Sequence, residues 1–464
     1  MNRHPFEEEA LAHITPRKEE SDLIQGVADR LLEAVEASGK ARGMVVGSVA
    51  RNTWVRGDRD LDIFMLFDPA TPREELEEEG LALGRKIARQ FGSGAVEKFA
   101  EHPYINTVVE GLDVDLVPCY AVADSHRIQS AVDRTPFHTR YIQEHINGLE
   151  GDVLLAKQFA KTSGIYGSDQ MTEGFSGYLC ELLVIHYGGF SSLLRALAGW
   201  RPGTCIDMEG HGTREFADPL VVIDPVDPKR NVAASVSRTR MFEFVELARG
   251  YLANPSLDFF FPPIAGPIDR MEFERVLAER ETYLYAVEFP APDLVPDILV
   301  PQLRKSTDAI ADMLRRYEFS VNRTDSTTVD GRCILLFELL VSELPPVKTH
   351  MGPQIWDADH ADRFVEKYAE GNVYAGPFIE GDRYYVEKVR RHTSAEELLS
   401  SPSPLKLSLG KHVKKEMERG WNLRVGPDVW KDSLAPFLSA FLQRRSPLMR
   451  IRYEQTRRKD EPIE

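Results

Sequence analysis

Apolar residues recur at helical spacing through SDLIQGVADRLLEAVEASGK, from just after Ser21 to near Gly39, and predict a first long helix. MVVGS follows as a short apolar strand running into a Gly-Ser turn, ARNTWVRG as a short helical segment, and LDIFMLF as a strand bound for a core. A helix is expected through PREELEEEGLALGRKIARQF, whose EELEEE run reads as a solvated face. Two more strands are expected around 104–110 and 112–118. That order predicts a small mixed sheet with helices on one side.

From about 151 to 199 the pattern turns helical, through DVLLAKQFAKTSGIYG and GYLCELLVIHYGGFSSLLRALAGW. Gly and Pro punctuate the next region, where VVIDPVDPKRNVAA reads as a strand followed by a tight turn. A second α/β unit begins near 280. Its strands are TYLYAVEF, CILLFELLV and RYYVEKVRR, and its helices PQLRKSTDAIADMLRRYEF and a stretch near 361–370. The strand–helix–strand–strand order from 280 to 392 resembles a ferredoxin-like sheet. The sequence holds no internal repeat.

Composition narrows this picture. A chain of 464 residues suggests two to four domains, and 42% hydrophobic with 28% charged residues is ordinary for a globular protein with real cores. The longest apolar stretch is interrupted by Glu181, His186 and Arg195, so no membrane-spanning helix is expected. The N-terminus is acidic and lacks an apolar signal core, which makes the cytoplasm the expected location. Cys119, Cys180, Cys205 and Cys333 are widely spaced, with no CxxC pair, which argues against a disulfide framework and against a structural zinc site. The net charge of −16 is uneven: residues 401–464 hold 14 Lys and Arg against 8 Asp and Glu. A basic tail on an acidic body is compatible with an RNA partner, and equally with a solvated helical tail.

The candidate chemistry lies in GSVARNTWVRGDRDLDIFMLF. Side chains in a strand alternate faces, so Asp60 and Asp62 point one way while Leu61 and Ile63 point into the core. GLDVDLVPCY repeats the arrangement with Asp113 and Asp115. If the two strands are neighbours, three or four carboxylates converge, and oxygen-only ligands select a hard cation such as Mg²⁺. Such a site assists in-line attack at phosphorus. The turn at Gly47 and Ser48 offers backbone N–H groups and a hydroxyl to a phosphate, with Arg51 one turn later. Read from spacing alone, His138 equally fits a structural role, Lys157 the wet face of its helix, and Arg230 a solvent-facing turn beside Lys229. Lys157 and Lys161 share one helix face, which is mildly repulsive unless an anion lies near.

The Gly-Ser turn, the DxD strand and the later DxD strand resemble the nucleotidyltransferase superfamily of the DNA polymerase β type. The wording is closer still to archaeal-type (class I) CCA-adding enzymes, through GSVARNTW, LDIFMLF, AEHPY, VDLVPCY, SAVDRTPFH, GIYG, GFSGYLCELL, DPVDPKRNVAA and MGPQ, which run from about 47 to 354. The resemblance implies an α+β multidomain fold: a polymerase β-like palm over 1–142, a mainly helical nucleotide- and base-recognition domain over 143–270, a ferredoxin-like tRNA-binding domain over 271–398 and a basic, mainly helical tail over 399–464.

It also implies roles. Asp60, Asp62 and Asp115 would bind the catalytic Mg²⁺, with Asp60 a shorter residue than the Glu usual there and Asp113 a supporting residue. Asp58 is expected as a turn residue, and Val49 replaces an aromatic. Ser48 and Arg51 would hold the triphosphate, His138, Lys157 and Tyr166 would contact the nucleotide, and Arg230 would read the base edge with its planar guanidinium. The implied reaction adds CCA to the 3′ end of tRNA from CTP and ATP without a template, by a homodimer. Candidates for gripping the tRNA acceptor stem and elbow by phosphate and shape are Arg390, Arg391, Lys411, Lys414, Lys415, Arg444 and Arg445. Alternatives are a poly(A) polymerase, a small-molecule nucleotidyltransferase or a non-catalytic RNA-binding relative. The basic tail argues against a small acceptor, and the retained carboxylates against a dead enzyme.

Overall fold

The structure, a computed structural model, describes residues 3–99, 103–124, 127–262 and 266–460. The first three residues of the AEHPY motif lie outside the described residues. The chain divides into two compact units, Met1–Ile264 with Arg445–Glu464, and Ala265–Arg444.

The first unit opens with α1 (Pro5–Ile14) and α2 (Lys18–Glu36), followed by β1 (Arg42–Val46), the single turn α3 (Gly47–Ala50), β2 (Asp60–Phe67), α4 (Arg73–Phe91), β3 (Ser93–Phe99), β4 (Pro103–Val109) and β5 (Leu112–Tyr120). The strands form one mixed sheet in the order β1-β2-β5-β4-β3, in which only β2 and β5 run parallel. Leu61, Ile63, Met65 and Phe67 of β2 pack with Val114 and Leu116 of β5 against Val27, Leu31, Leu83 and Ile87 of α2 and α4. Burying each such side chain is worth about 1.5–3 kcal/mol. α2 and α4 cover that face, but helical cover is not confined to it as the pattern predicts: Phe64, Leu66 and Cys119 are buried on the other face with Val132 of a short helical turn, Ala131–Arg134. A one-residue slip of β2 would turn its aspartates into the core, so burial itself fixes the register.

The sheet continues into a helical region: α5 (Thr135–His145), α6 (Glu150–Thr162), α7 (Gly177–Tyr187), α8 (Phe190–Leu197), then β6 (Thr204–Ile206), β7 (Leu220–Asp224), β8 (Asp227–Asn231) and α9 (Arg238–Ala253). Phe159, Phe175, Leu183, Phe190 and Phe244 form its core. The expected strand at 220–224 is the middle of a small β6-β7-β8 sheet.

The second unit contains α10 (Arg270–Arg280), β9 (Tyr283–Pro290), α11 (Pro296–Arg316), β10 (Val321–Val329), β11 (Arg332–Leu339), β12 (Val347–Gln354), α12 (Ala358–Ala369), β13 (Val373–Glu380), β14 (Arg383–Val389), α13 (Ala395–Ser400), α14 (Lys411–Met417), β15 (Asn422–Val425) and α15 (Ala435–Leu442). Its antiparallel sheet has the order β10-β11-β9-β15, with α11 after the first strand and α14 before the last. That is the ferredoxin-like split βαβ arrangement. The strand that completes it is β15, from the region read as tail. The strand at 383–389, read as the third of the series, belongs instead to a separate β12-β14-β13 sheet inserted between β11 and α13. The chain then returns to the first unit as α16 (Pro447–Asp460), where Leu448 packs over Gly250 of α9.

Candidate active site

The parallel pairing of β2 and β5 places Asp60 beside Asp113 and Asp62 beside Asp115. All four lie on the face opposite α2 and α4. β4 adds Asn106 directly opposite Asp115, and its amide donates to Asp115 Oδ1 at 2.7 Å and to Asp113 Oδ1. Asp113 thus shares an orienting partner with Asp115. Burial pushes the Asp62 carboxyl up to about 6, and Asp115 and Asp60 add to the rise while Arg51 opposes it. Asp60 is raised by burial and by Asp58 and Asp113, and Asp115 by burial, against the Asn106 hydrogen bond and Lys98.

Among the described residues, no three His, Cys, Asp or Glu side chains close on a single metal-sized point as they stand. The carboxylates are nonetheless in register on adjacent strands, and their donor set is oxygen only. Their mutual repulsion rises as they ionise. These properties fit a hard divalent cation.

β1 leads into the Gly47–Ser48 turn beside this cluster, with Val46 paired to Asp62. Gly47 has a φ of +73°, and a Cβ there would collide with Asp62 Oδ2. Only glycine lets the turn approach the carboxylate so closely. The half-buried Ser48 accepts amide hydrogen bonds at its carbonyl from Arg51 and Thr53, at 3.3 and 3.0 Å, which fold the turn back on itself.

Arg51 points inward from this turn. Its Nη1 donates to Thr139 Oγ1 at 3.3 Å, and its Nε lies 2.9 Å from Glu181 Oε2 as an ion pair that is not aligned as a hydrogen bond. Lys157 of α6 meets the same Glu181, at 2.9 Å, and also donates to the Thr53 carbonyl at 2.9 Å. The Thr53 hydroxyl donates to Glu181 Oε1. Lys157 is therefore buried rather than on a wet helix face. Lys161, one turn on, pairs with Asp58 at 2.6 Å and sits 5.2 Å from the Tyr166 ring centre. Each lysine of the repulsive pair has its own acid, and Asp58 does more than shape a turn. A Cβ on Gly177 would come within 2.8 Å of the Tyr166 hydroxyl, so α7 begins packed closely against Tyr166.

The third group lines a cleft of about 900 Å³ that includes Arg134, His138, Tyr178, Arg214, Lys229 and Arg230. Buried Asp133 accepts amides from Tyr120, Gln129 and Ser130, tying the end of β5 to the start of the α5 region and so placing His138. His138 stacks on Tyr178 with ring centres 4.1 Å apart. Asp224, fully buried at the end of β7, lies 2.9 Å from His138 Nε2 and accepts from Arg230 Nη1 at 2.7 Å and from the Tyr178 hydroxyl at 3.3 Å. Burial would raise its carboxyl, but His138 and Arg230 outweigh it and bring it down to about 2. An ionised carboxylate only accepts, so His138 Nε2 carries the proton. Burial lowers the His138 pKa against the pull of Asp224, while Arg230 and Arg51 lower it further.

Arg51 acts electrostatically on both Asp62 and His138, so the three groups are neighbours. Ser48, Arg51, Asp60, Asp62, Asp115, His138, Lys157, Tyr166 and Arg230 come together in the first unit. Sequence reasoning missed Thr53, Asn106, Tyr178, Glu181 and Asp224. Glu181 had a visible signal, since it interrupts an otherwise apolar helix. In the second unit, Arg390 is tied to Glu318 and to the Pro345 carbonyl at 2.9 Å, whereas Arg391, Lys411 and Lys415 are exposed and Lys414 half-buried. Arg444 is exposed, and Arg445, in the first unit, lies 3.7 Å from the Tyr453 ring centre.

Family models cover this architecture in three segments: a nucleotidyltransferase domain over residues 28–138, a tRNA nucleotidyltransferase second domain over 151–261 and a CCA-adding enzyme C-terminal domain over 280–426. The CCA-adding enzyme of Methanoregula boonei is 57% identical over 450 residues, spanning 97% of this chain and 98% of its own. Those of Haloarcula marismortui and Methanothermobacter thermautotrophicus are 43% and 40% identical, covering 90% and 93% of this chain and 93% and 96% of their own. Among solved structures, the Cid1 RNA terminal uridylyl transferase aligns with a TM-score of 0.44 at 16% identity, over 57% of this chain and 98% of its own. Identity at this level along nearly the whole length is decisive: the chain belongs to the family of CCA-adding enzymes.

Proposed function

We propose that this protein builds and repairs the 3′-terminal CCA of tRNA from CTP and ATP, with Mg²⁺ as its metal. The reading is carried by one observation above all: two Asp-x-Asp strands lie side by side in parallel register next to a glycine-bearing turn. The tRNA 3′-oxygen forms a bond to the nucleotide α-phosphorus as the bond to the β-phosphate oxygen breaks, releasing pyrophosphate. Asp60, Asp62 and Asp115 would hold the Mg²⁺, which when bound would activate the hydroxyl and neutralise charge on the triphosphate. Asn106 orients Asp115. The Gly47–Ser48 turn, Arg51, Lys157 and Tyr166 receive the triphosphate and ribose side of the nucleotide. His138 and Arg230, both fixed by Asp224, face the base, and a guanidinium held at one end presents its remaining donors in a fixed direction.

The second unit supplies the tRNA grip through exposed basic residues including Arg391, Lys411 and Lys415. A homodimer and a cytoplasmic location belong to the same proposal; no described helix is long and apolar enough to cross a membrane. Incubation with tRNA lacking its CCA end, Mg²⁺ and labelled CTP or ATP tests the activity. Addition of two C residues and then one A is expected. Incorporation of ATP alone into many unrelated RNAs would contradict it.

A further inference from the structure

Behind the Gly47–Ser48 turn, Arg51 and Lys157 are 8% and 1% exposed, and the acid they share, Glu181, is 0% exposed. They reach it from different elements: Arg51 from the turn after α3, Lys157 from α6, with Glu181 itself on α7. Thr53 completes the group, accepting from Lys157 at 3.1 Å and donating to Glu181. Glu181 is the one carboxylate in direct contact with both cations, and Asp62 beside the turn is a further acid on which Arg51 acts. Arg51 is thus next to the Gly47–Ser48 turn, whose Val46 neighbour pairs with Asp62. The 2.9 Å contact between Arg51 Nε and Glu181 Oε2 is not an aligned hydrogen bond, which leaves both buried atoms without a hydrogen-bond partner.

We infer that Glu181 is a positioning residue for the nucleotide triphosphate: it holds Arg51 and Lys157 as a pair beside the turn that would receive the phosphates. This rests on the proposed role of Arg51 and Lys157 in binding the triphosphate. Without Glu181 the two cations repel each other in a low-dielectric site and lose their common orientation.

The test is steady-state incorporation of CTP and ATP into tRNA lacking CCA, using full-length Glu181→Gln. The KM for both nucleotides should rise about tenfold, with a smaller change in kcat and the tRNA KM within about twofold. Glu181→Asp, which keeps the charge, should fall between Gln and the parent protein. Should Glu181→Gln fail to fold, Thr53→Val removes the hydroxyl that donates to Glu181 and accepts from Lys157, loosening the same trio, and should raise nucleotide KM about threefold. An unchanged nucleotide KM in whichever of these variants folds, or an equal rise in nucleotide and tRNA KM, overturns the inference. Arg51→Ala and Lys157→Ala separate the two levels. If both leave nucleotide KM unchanged, the triphosphate assignment fails and the inference with it. If both raise it and Glu181→Gln does not, only the inference falls.

Discussion

Asp62 faces opposing demands, because the site needs it ionised and its surroundings resist that. Burial, Asp115 and Asp60 push its carboxyl from 3.8 up to about 6. A carboxyl raised on folding contributes stability that is fully present below pH 3.8 and lost as the pH climbs through about 6. A divalent cation offsets that loss only where the carboxylates are ionised. Calorimetry should therefore show Mg²⁺ raising the melting temperature by a few degrees at about pH 7.5 and by much less at about pH 5. Equal shifts at both would contradict the site. Gly47→Ala tests the turn: its φ of +73° and the collision with Asp62 predict a loss of about 1–2 kcal/mol in stability and at least about a hundredfold in incorporation. At this scale the sequence spells out the Asp-x-Asp pairs, because strand alternation converts spacing into a shared face. Asp224, Glu181 and Asn106 were not legible. Each is a lone polar residue whose role depends on partners brought by other elements, as with Thr53 and Glu181, 128 positions apart in sequence.

The strands legible in the sequence are mostly those in the middle of sheets. β2, β5, β9 and β11 carry long apolar runs because they have neighbours on both sides and, in the second unit, are buried on both faces. β3, β6, β8, β10, β12, β13 and β15 were not read, and every one is an edge strand. Edges are polar, short or broken by Gly and Pro, which protects them from pairing with other chains and hides them from a hydrophobic pattern. That is also why β14, central in its own small sheet, was assigned to the wrong one. The second unit carries a testable polar feature on β9. Glu288 is met by Lys431 at 2.9 Å, Arg424 at 2.6 Å and Arg332 at 2.9 Å. Burial opposes its ionisation, but Lys431 and Arg424 lead in bringing its carboxyl from 4.5 down to about 2. A depressed carboxyl contributes stability that is present above pH 4.5 and lost as the pH falls through about 2. Hydrogen exchange during acid titration should show β9 and its neighbours losing protection across that window, and Glu288→Gln should flatten the loss. Protection unchanged between the two proteins would contradict this.

Across the whole molecule, a net charge of −16 conceals a basic C-terminal segment, and association with an anionic RNA has to be concentrated where Lys and Arg outnumber Asp and Glu. Replacing exposed Lys411 and Lys415 by Ala should weaken binding of all tRNAs alike. It should also reduce the slope of log K against log salt by about one for each phosphate no longer neutralised. An unchanged slope would place the grip elsewhere. The catalytic claim is tested most directly by extension of a tRNA that ends just before its CCA, with Mg²⁺, CTP and ATP, comparing the parent protein with Asp62→Asn and Asp115→Asn. Three additions in the order C, C, A are expected from the parent. Each variant should lose incorporation by about a thousandfold or more while binding tRNA within about twofold. Full activity in either variant would contradict the account.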